Sequence, residues 1–227
     1  MAHDDVVPAR VARRALRPTG TDLAPAWRGR LHRWAAVVSA PAAVALVLHR
    51  PTPAVGGYAA GLVALFAVSA AYHLAPVSPG ARQRWRRADH AVIYLFMVLS
   101  YIPFCQQAVG GTLGAVLLGL ALAVGAAGLG VKLFGFRRSG VIGAVLYMVL
   151  GWMAAVALPG AVGTLPGVEL GLLAATGLLY TGGAAVFARR WPDPLPAVFG
   201  YHEVWHTCVV VAAACYFAFV WQLPTRG

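Results

Sequence analysis

The sequence consists of long apolar stretches separated by short polar segments that hold nearly all of its charge. Because an α-helix needs about 20 mainly apolar residues to span a bilayer, each stretch predicts a transmembrane helix. Numbered 1 to 7 in chain order, the predicted helices are Leu31–Leu48, Val55–Pro76, Ala88–Gln107, Thr112–Val131, Ser139–Leu158, Val168–Ala188 and Phe199–Trp221. The predicted fold class is therefore an all-α, polytopic membrane protein with seven transmembrane helices.

Positive charge is concentrated in alternate connections between these helices. Of the 18 Lys and Arg residues, all except Arg50 and Arg226 precede helix 1, lie in its first turn as Arg33 does, or lie between helices 2 and 3, 4 and 5, or 6 and 7. Since cytoplasmic loops hold the excess of Lys and Arg, the N-terminus is predicted inside and the C-terminus outside. We expect residues 1–30 to form a basic, disordered cytoplasmic tail, residues 31–222 the transmembrane domain, and residues 223–227 a short outer tail.

Composition excludes a soluble domain. With 60% hydrophobic and 11% charged residues, a chain of 227 residues could not hide its apolar surface in a soluble core. The net charge is +11, and the basic residues that carry it border the predicted spans. This placement favours membrane lipids of the anionic inner leaflet as partners and disfavours nucleic acid. Three cysteines within apolar runs give no disulfide framework. The expected location is the cell membrane.

The Arg-rich beginning and the first apolar run also resemble a signal peptide. The run ends at His49–Pro53 without the small residues of a usual cleavage site, and its removal would leave six spans. We therefore interpret Leu31–Leu48 as a retained helix.

A few polar and ionisable residues lie within or at the ends of the spans, where they are costly in hydrocarbon and become functional candidates. They form three clusters, which are Ser69 and His73 near the end of helix 2, Asp89 and His90 at the start of helix 3, and His202, Glu203 and His206 at the start of helix 7. The predicted orientation brings all three clusters to the cytoplasmic half of the membrane.

The histidine spacing predicts a metal site. His202 and His206 are four residues apart and project from one helical face, as two imidazole ligands of a tetrahedral zinc must. No His, Asp or Glu follows His206, so a third ligand must come from upstream, and His73 lies at matching depth. Three imidazoles leave a fourth position for water, as in catalytic zinc sites. Asp89 and Ser69 are then expected to hydrogen-bond this water or to orient a ligand.

Less specific interpretations apply to several of these polar residues. His32 and His49 are expected to be packed or interfacial histidines, and packing or capping is favoured for His90. Asp89 could be the N-cap of helix 3. Glu203 points about 100° away from the preceding histidine, so solvent-facing, capping and catalytic roles remain open for it.

The segment His202–His206 also matches H-E-x-x-H, the zinc-protease pattern in which Glu is the general base. Intramembrane proteases with this pattern need a further ligand, usually a carboxylate on a later segment. None follows here, which disfavours a protease.

Several short motifs occur in a specific order. They are Ser69-Ala-Ala-Tyr72-His73, Asp89-His90, Ser100-Tyr101-Ile102-Pro103-Phe104, Tyr180-Thr181-Gly182-Gly183 and Gly200-Tyr201-His202-Glu203-x-x-His206. In their seven-span setting they resemble the hemolysin III proteins, which belong with the progestin and adipoQ receptor family and, more distantly, the alkaline ceramidases. The resemblance covers about Leu31 to Trp221.

This resemblance implies zinc held by His73, His202 and His206, with Asp89 near the metal water and Ser69 beside them. It also implies hydrolase chemistry on lipid amides in some relatives, and links to membrane-lipid and membrane-energy homeostasis in bacterial ones. Phe187 and Tyr216 depart from the family pattern, and neither is expected to touch the proposed ligands.

The expected function is a zinc-dependent hydrolase acting on a lipid amide or ester at the cytoplasmic leaflet. One alternative is a membrane-perturbing hemolysin, but a pore needs a polar stripe that helices 4 and 5 lack. Another is a lipid or membrane-energy regulator in which zinc only ties helices 2 and 7 together.

Overall fold

A computed structural model describes residues 25–75, 78–135, 140–161 and 165–223. Seven helices within these ranges are long and apolar enough to cross a membrane. Their α-helical parts are α1 (Arg30–His49), α2 (Pro53–Leu74), α3 (Pro79–Pro103), α4 (Gly111–Phe134), α5 (Gly140–Trp152), α6 (Gly167–Arg189) and α7 (Tyr201–Gln222), and the third and fifth spans extend to Val109 and Ala157. The seven-helix, all-α prediction is confirmed.

Two of the spans change helix type before they end. After α3 the chain continues as a π-helix over Phe104–Val109, and after α5 it continues as a 3-10 helix over Met153–Ala157 and one further turn over Leu158–Ala161. Proline has no backbone N–H and so interrupts α-helical hydrogen bonding, and the change after α3 follows Pro103 directly.

The predicted start of the third span was wrong, because α3 begins at Pro79 and not at Ala88. The Ser78 Oγ accepts a hydrogen bond from the Ala81 backbone N–H at 3.4 Å, and proline at the first helical position is already set for helix. A boundary predicted from hydropathy falls at the edge of the apolar stretch. The α-helical backbone hydrogen bonds, however, begin earlier, in the Arg-rich turns that precede this stretch.

Some predicted boundaries fall outside the described residues. These are the end of helix 2 at Pro76, the start of helix 5 at Ser139, residues 1–24 of the predicted basic tail, and residues 224–227 of the predicted outer tail.

The helices pack in chain order from α1 to α5, while α6 packs on α7 and α7 returns to α1. The C-terminal end of α2 therefore lies beside the first turns of α1 and α7. Apolar side chains such as Val38, Val141 and Leu178 are exposed on the outside of this bundle, as expected for surfaces that face lipid.

A tyrosine of α3 passes over a glycine of α4 to reach α5. A methyl group at Gly128 would overlap the Tyr94 ring, and the Tyr94 hydroxyl donates to the Gly143 carbonyl of α5 at 2.6 Å. Two α-helical turns further along α3, the Tyr101 hydroxyl donates to the Leu150 carbonyl, also at 2.6 Å. Small residues thus let the helices approach closely enough for these buried hydrogen bonds.

Candidate metal centre

His73 lies in the last turn of α2, one residue before the helix ends at Leu74. Its Nε2 atom is buried and has no hydrogen-bond partner among the described residues. An imidazole nitrogen in this condition is costly unless a ligand or ion satisfies it, because burial has removed its contact with water.

His202 and His206 lie in the first two turns of α7 and face His73. Their two ring centroids are 4.3 Å apart, and the His73 ring lies 5.0 Å from the His202 ring and 5.2 Å from the His206 ring. One ligating atom from each residue can be chosen so that all three lie within 4.8 Å of one another. The structure thus brings together the three histidines that the sequence predicted as ligands.

The chemistry of these three side chains fits a metal ion. Neutral imidazole is a ligand for zinc, copper, iron and nickel. The His202 Nε2 atom, like that of His73, is buried without a hydrogen-bond partner in the part of the chain that the structure describes. A metal site needs at least three His, Cys, Asp or Glu side chains close together, and within the described residues these three histidines form such a group. The choice of zinc stays a prediction.

Ser69 and Asp89 are hydrogen-bonded to each other beside this group. Ser69 is one helical turn before His73 on the same face of α2, and its hydroxyl donates to the Asp89 carboxylate. Both side chains are largely buried, with Ser69 4% exposed and the Asp89 side chain 15% exposed. The catalytic roles predicted for them stay predictions, but their pairing next to a candidate ligand is observed.

Asp89 is not an N-cap. Since α3 begins at Pro79, Asp89 lies in its third turn, and the capping role belongs to Ser78. The neighbouring His90 directs its Nδ1 atom to the Arg86 carbonyl at 2.8 Å and to Asp89 Oδ2 at 3.6 Å. His90 therefore contacts its own helix and is not one of the three clustered histidines.

Glu203 is buried and fully engaged, so the solvent-facing interpretation was wrong. Its Oε1 accepts a hydrogen bond from Arg28 Nε at 2.6 Å, and its Oε2 accepts one from the Gly200 backbone N–H at 2.9 Å. The residue as a whole is only 1% exposed. Of the roles left open by the sequence, the capping role is the one observed, and a general base with both oxygens occupied in this way is disfavoured.

A fourth histidine belongs to the surroundings of the site. His32, in the first turn of α1, is 4% exposed, and its ring stacks on the His206 ring with centroids 3.9 Å apart and planes 9° from parallel. The sequence predicted a packed histidine but did not indicate what it packs against. Its position near the same predicted membrane face as His206 was the available signal.

Phe187 also touches a candidate ligand, contrary to expectation. Its ring centroid lies 5.6 Å from that of His202, with the two planes 65° apart. The Phe187 ring therefore borders the site on the α6 side. Tyr216 instead donates its hydroxyl to the Ser100 carbonyl at 2.6 Å and packs on Tyr58.

Comparison with known proteins places these residues in a family context. Residues 24–217 match a family model described as haemolysin-III related, a range that includes every residue of the site. Among individual proteins, Hemolysin-3 of Bacillus cereus is 29% identical over 205 residues, which are 86% of this chain and 90% of that protein.

Two other similar proteins cover less of the chain. The Hemolysin-3 homolog of Bacillus subtilis (strain 168) is 30% identical over 129 residues, or 57% of this chain and 58% of its own length. Monocyte to macrophage differentiation factor of Homo sapiens is 25% identical over 174 residues, or 75% of this chain and 70% of its own length.

Proposed function

The chain belongs to the haemolysin-III related family, and from that membership we propose that it is a membrane-embedded zinc hydrolase. Its substrate is a lipid amide or ester of the cytoplasmic leaflet, and its activity adjusts membrane lipid composition. The observation that carries the proposal is the convergence of His73, His202 and His206, whose ligating atoms lie within 4.8 Å of one another.

Three imidazoles from two helices are the donor set of a catalytic zinc site, in which the fourth position stays open. When bound, zinc supplies a water activated near neutral pH and polarises a carbonyl oxygen. The buried, unpartnered Nε2 atoms of His73 and His202 support this assignment, since a metal would satisfy both.

Asp89 is the proton acceptor in this proposal. Hydrolysis of an amide adds water across the C–N bond, so one proton must leave the water and one must reach the departing nitrogen. A carboxylate Oδ atom of Asp89 accepts the first and returns it to the nitrogen, while the Ser69 hydroxyl, which donates to the same carboxylate, fixes its orientation. An ester would be cleaved in the same way at its C–O bond.

The proposed location is the plasma membrane, with the metal centre in its cytoplasmic half. The distribution of Lys and Arg supports an inside N-terminus, which puts the end of α2 and the start of α7 on the cytoplasmic side. A lipid carbonyl lies close to the headgroup level, at the depth of helix ends, so such a site is within reach of lipids of the inner leaflet.

A second candidate function is non-enzymatic membrane perturbation or lipid regulation, with zinc holding α2 to α7. The name of the Bacillus cereus relative, Hemolysin-3, favours it. The low polarity of α4 and α5 argues against a wide pore, because a water-filled path needs polar groups along several helices.

Elemental analysis of the detergent-purified protein tests the metal, with His73→Ala and His206→Ala as ligand variants and His49→Ala as control. We expect about one zinc per chain in the wild type and the control, and a large loss in both ligand variants. Equal zinc in all four proteins would contradict the site.

The zinc-loaded protein is then incubated with ceramides and phospholipids, and free fatty acid is measured. Zinc without turnover, together with dye release from liposomes, would favour the second function.

A further inference from the structure

His32 comes from the first helix, yet its ring lies flat against a candidate ligand on the last one. The His32 and His206 centroids are 3.9 Å apart with planes 9° from parallel, and the Phe66 ring packs on His32 at 5.2 Å. We propose that His32 is a positioning residue of the metal centre, which holds the His206 imidazole in the orientation needed to direct a ring nitrogen at the ion. The inference rests on the proposed metal site and names a residue outside its ligands.

The backbone conformation just before α1 places the His32 ring beside His206. Gly29 has a φ of 77°, a left-handed conformation that favours glycine, and α1 begins at the next residue. A Cβ atom at Gly29 would lie 2.6 Å from the His73 Cβ, so the backbone passes directly over the end of α2. This close approach brings the first turn of α1, including His32, onto the histidine cluster.

Contacts with the start of α7 hold the same segment in place. The Arg28 guanidinium donates a hydrogen bond at 2.6 Å to Glu203, which directly follows His202 in the sequence. The backbone N–H groups of Ala26 and Trp27 each donate at 3.1 Å to carbonyls of the connection before α7, at Ala197 and Val198. Because the segment is fixed to α7 on one side and covers α2 on the other, the His32 ring has a defined place beside His206.

The stack gives the His206 ring an orientation that its own helix does not impose. The terminal torsion of histidine is broad, so an isolated imidazole on α7 would sample many ring planes. A parallel neighbour at 3.9 Å selects one plane, and the loss of such an aromatic contact is expected to weaken metal binding about 2- to 13-fold. His32 need not offer a nitrogen to the ion for this effect.

Two substitutions separate ring stacking from other roles of His32. His32→Phe keeps a flat ring, while His32→Leu keeps much of the volume but has no ring plane, and volume-conserving changes are tolerated best in packed interiors. The matched control is His49→Leu. His49 closes the other end of α1, and its ring also stacks on a residue of α7, Trp221, at 4.3 Å and 13°.

The experiment measures zinc affinity of the full-length, detergent-purified chain by competition with a chelator, and the visible absorption spectrum of the cobalt(II)-substituted protein. We expect His32→Leu to bind zinc about 2- to 13-fold more weakly and to show altered cobalt bands. His32→Phe and His49→Leu should match the wild type in both. A merely structural role would change stability but not the cobalt bands.

Unchanged affinity and an unchanged spectrum in His32→Leu would overturn the inference. Equal losses in the Phe and Leu variants would also overturn it, since a nitrogen and not the ring plane would then be needed. If His32→Leu does not purify as a monodisperse protein, the zinc affinity of His32→Phe decides the question. An affinity lower than that of the wild type contradicts positioning by stacking, and an affinity equal to that of the wild type supports it. A wild type that binds no zinc would refute the proposed function itself, which is a distinct result.

Discussion

The Nε atom of Arg28 donates to the Oε1 atom of Glu203 at 2.6 Å and so joins the chain before the first helix to the start of the last. The Glu203 side chain is 2% exposed and that of Arg28 is 26% exposed. Glu203 also caps α7 through the Gly200 N–H, so one buried carboxylate stabilises both a helix end and a connection between distant parts of the sequence.

We expect Glu203→Gln to lower stability and leave the metal in place. An amide keeps an acceptor for the Gly200 N–H but loses the charge that pairs with Arg28, which costs about 1 to 3 kcal/mol. Thermal unfolding in detergent and elemental analysis measure the two effects. A stable variant with normal zinc but no turnover would point instead to a general base at Glu203.

The partner side of this ion pair has its own matched control. Arg28→Gln should lower the unfolding temperature, whereas Arg30→Gln, two residues away and exposed, should change it little. Equal effects of the two substitutions would show that net charge at this end of the chain, and not the contact with Glu203, determines stability.

Asp89→Asn should reduce lipid hydrolysis about 10²- to 10⁴-fold while zinc content stays near that of the wild type. The reason is that an amide cannot accept the proton assigned to the carboxylate, although it is nearly the same size. Turnover under substrate saturation and elemental analysis are the measurements. Loss of zinc in this variant would indicate that Asp89 is itself a ligand.

Ser69→Ala should give a smaller loss of turnover than Asp89→Asn, since it removes only the hydrogen bond that orients the carboxylate. Ser100→Ala is its control, because the Ser100 hydroxyl donates to the Phe96 carbonyl within α3 at 2.8 Å and takes no part in the site. A Ser69→Ala variant as active as the control would remove Ser69 from the mechanism.

Gly128→Ala should destabilise the bundle by about 1 to 3 kcal/mol, because the new methyl group overlaps the Tyr94 ring and forces α3 and α4 apart. Gly130→Ala is the control, since a Cβ atom there meets nothing within 4 Å. Thermal unfolding of the two variants should therefore differ clearly. If Gly128→Ala is as stable as Gly130→Ala, the close contact between α3 and α4 is contradicted.

A reporter enzyme that is active only outside the cell should be active when fused after Gly227 and inactive when inserted after Arg190. This outcome follows from the proposed inside N-terminus and from seven crossings. Fusion at both positions in otherwise identical chains provides the comparison. The opposite pattern would place the histidine cluster at the outer face and exclude substrates from the cytoplasmic leaflet.

Local patterns were enough to predict much of this protein. Seven apolar stretches predicted seven helices, and the spacing of His202 and His206 predicted that they share a helical face. The choice of His73 as a third partner followed from the lack of any His, Asp or Glu after His206 and from the predicted depth of His73, and the structure places it within reach of the other two. By contrast, the start of α3 was missed by nine residues because hydropathy does not report where backbone hydrogen bonding begins.

The sequence by itself determined the number of spans and their order, because hydropathy and helical period depend only on neighbours along the chain. Tertiary structure alone decided that His32 stacks on His206, that Arg28 pairs with Glu203, and that Phe187 borders His202. These contacts join helices far apart in sequence. They depend on how each helix is rotated and which helices become neighbours, and the packing of the whole bundle sets both.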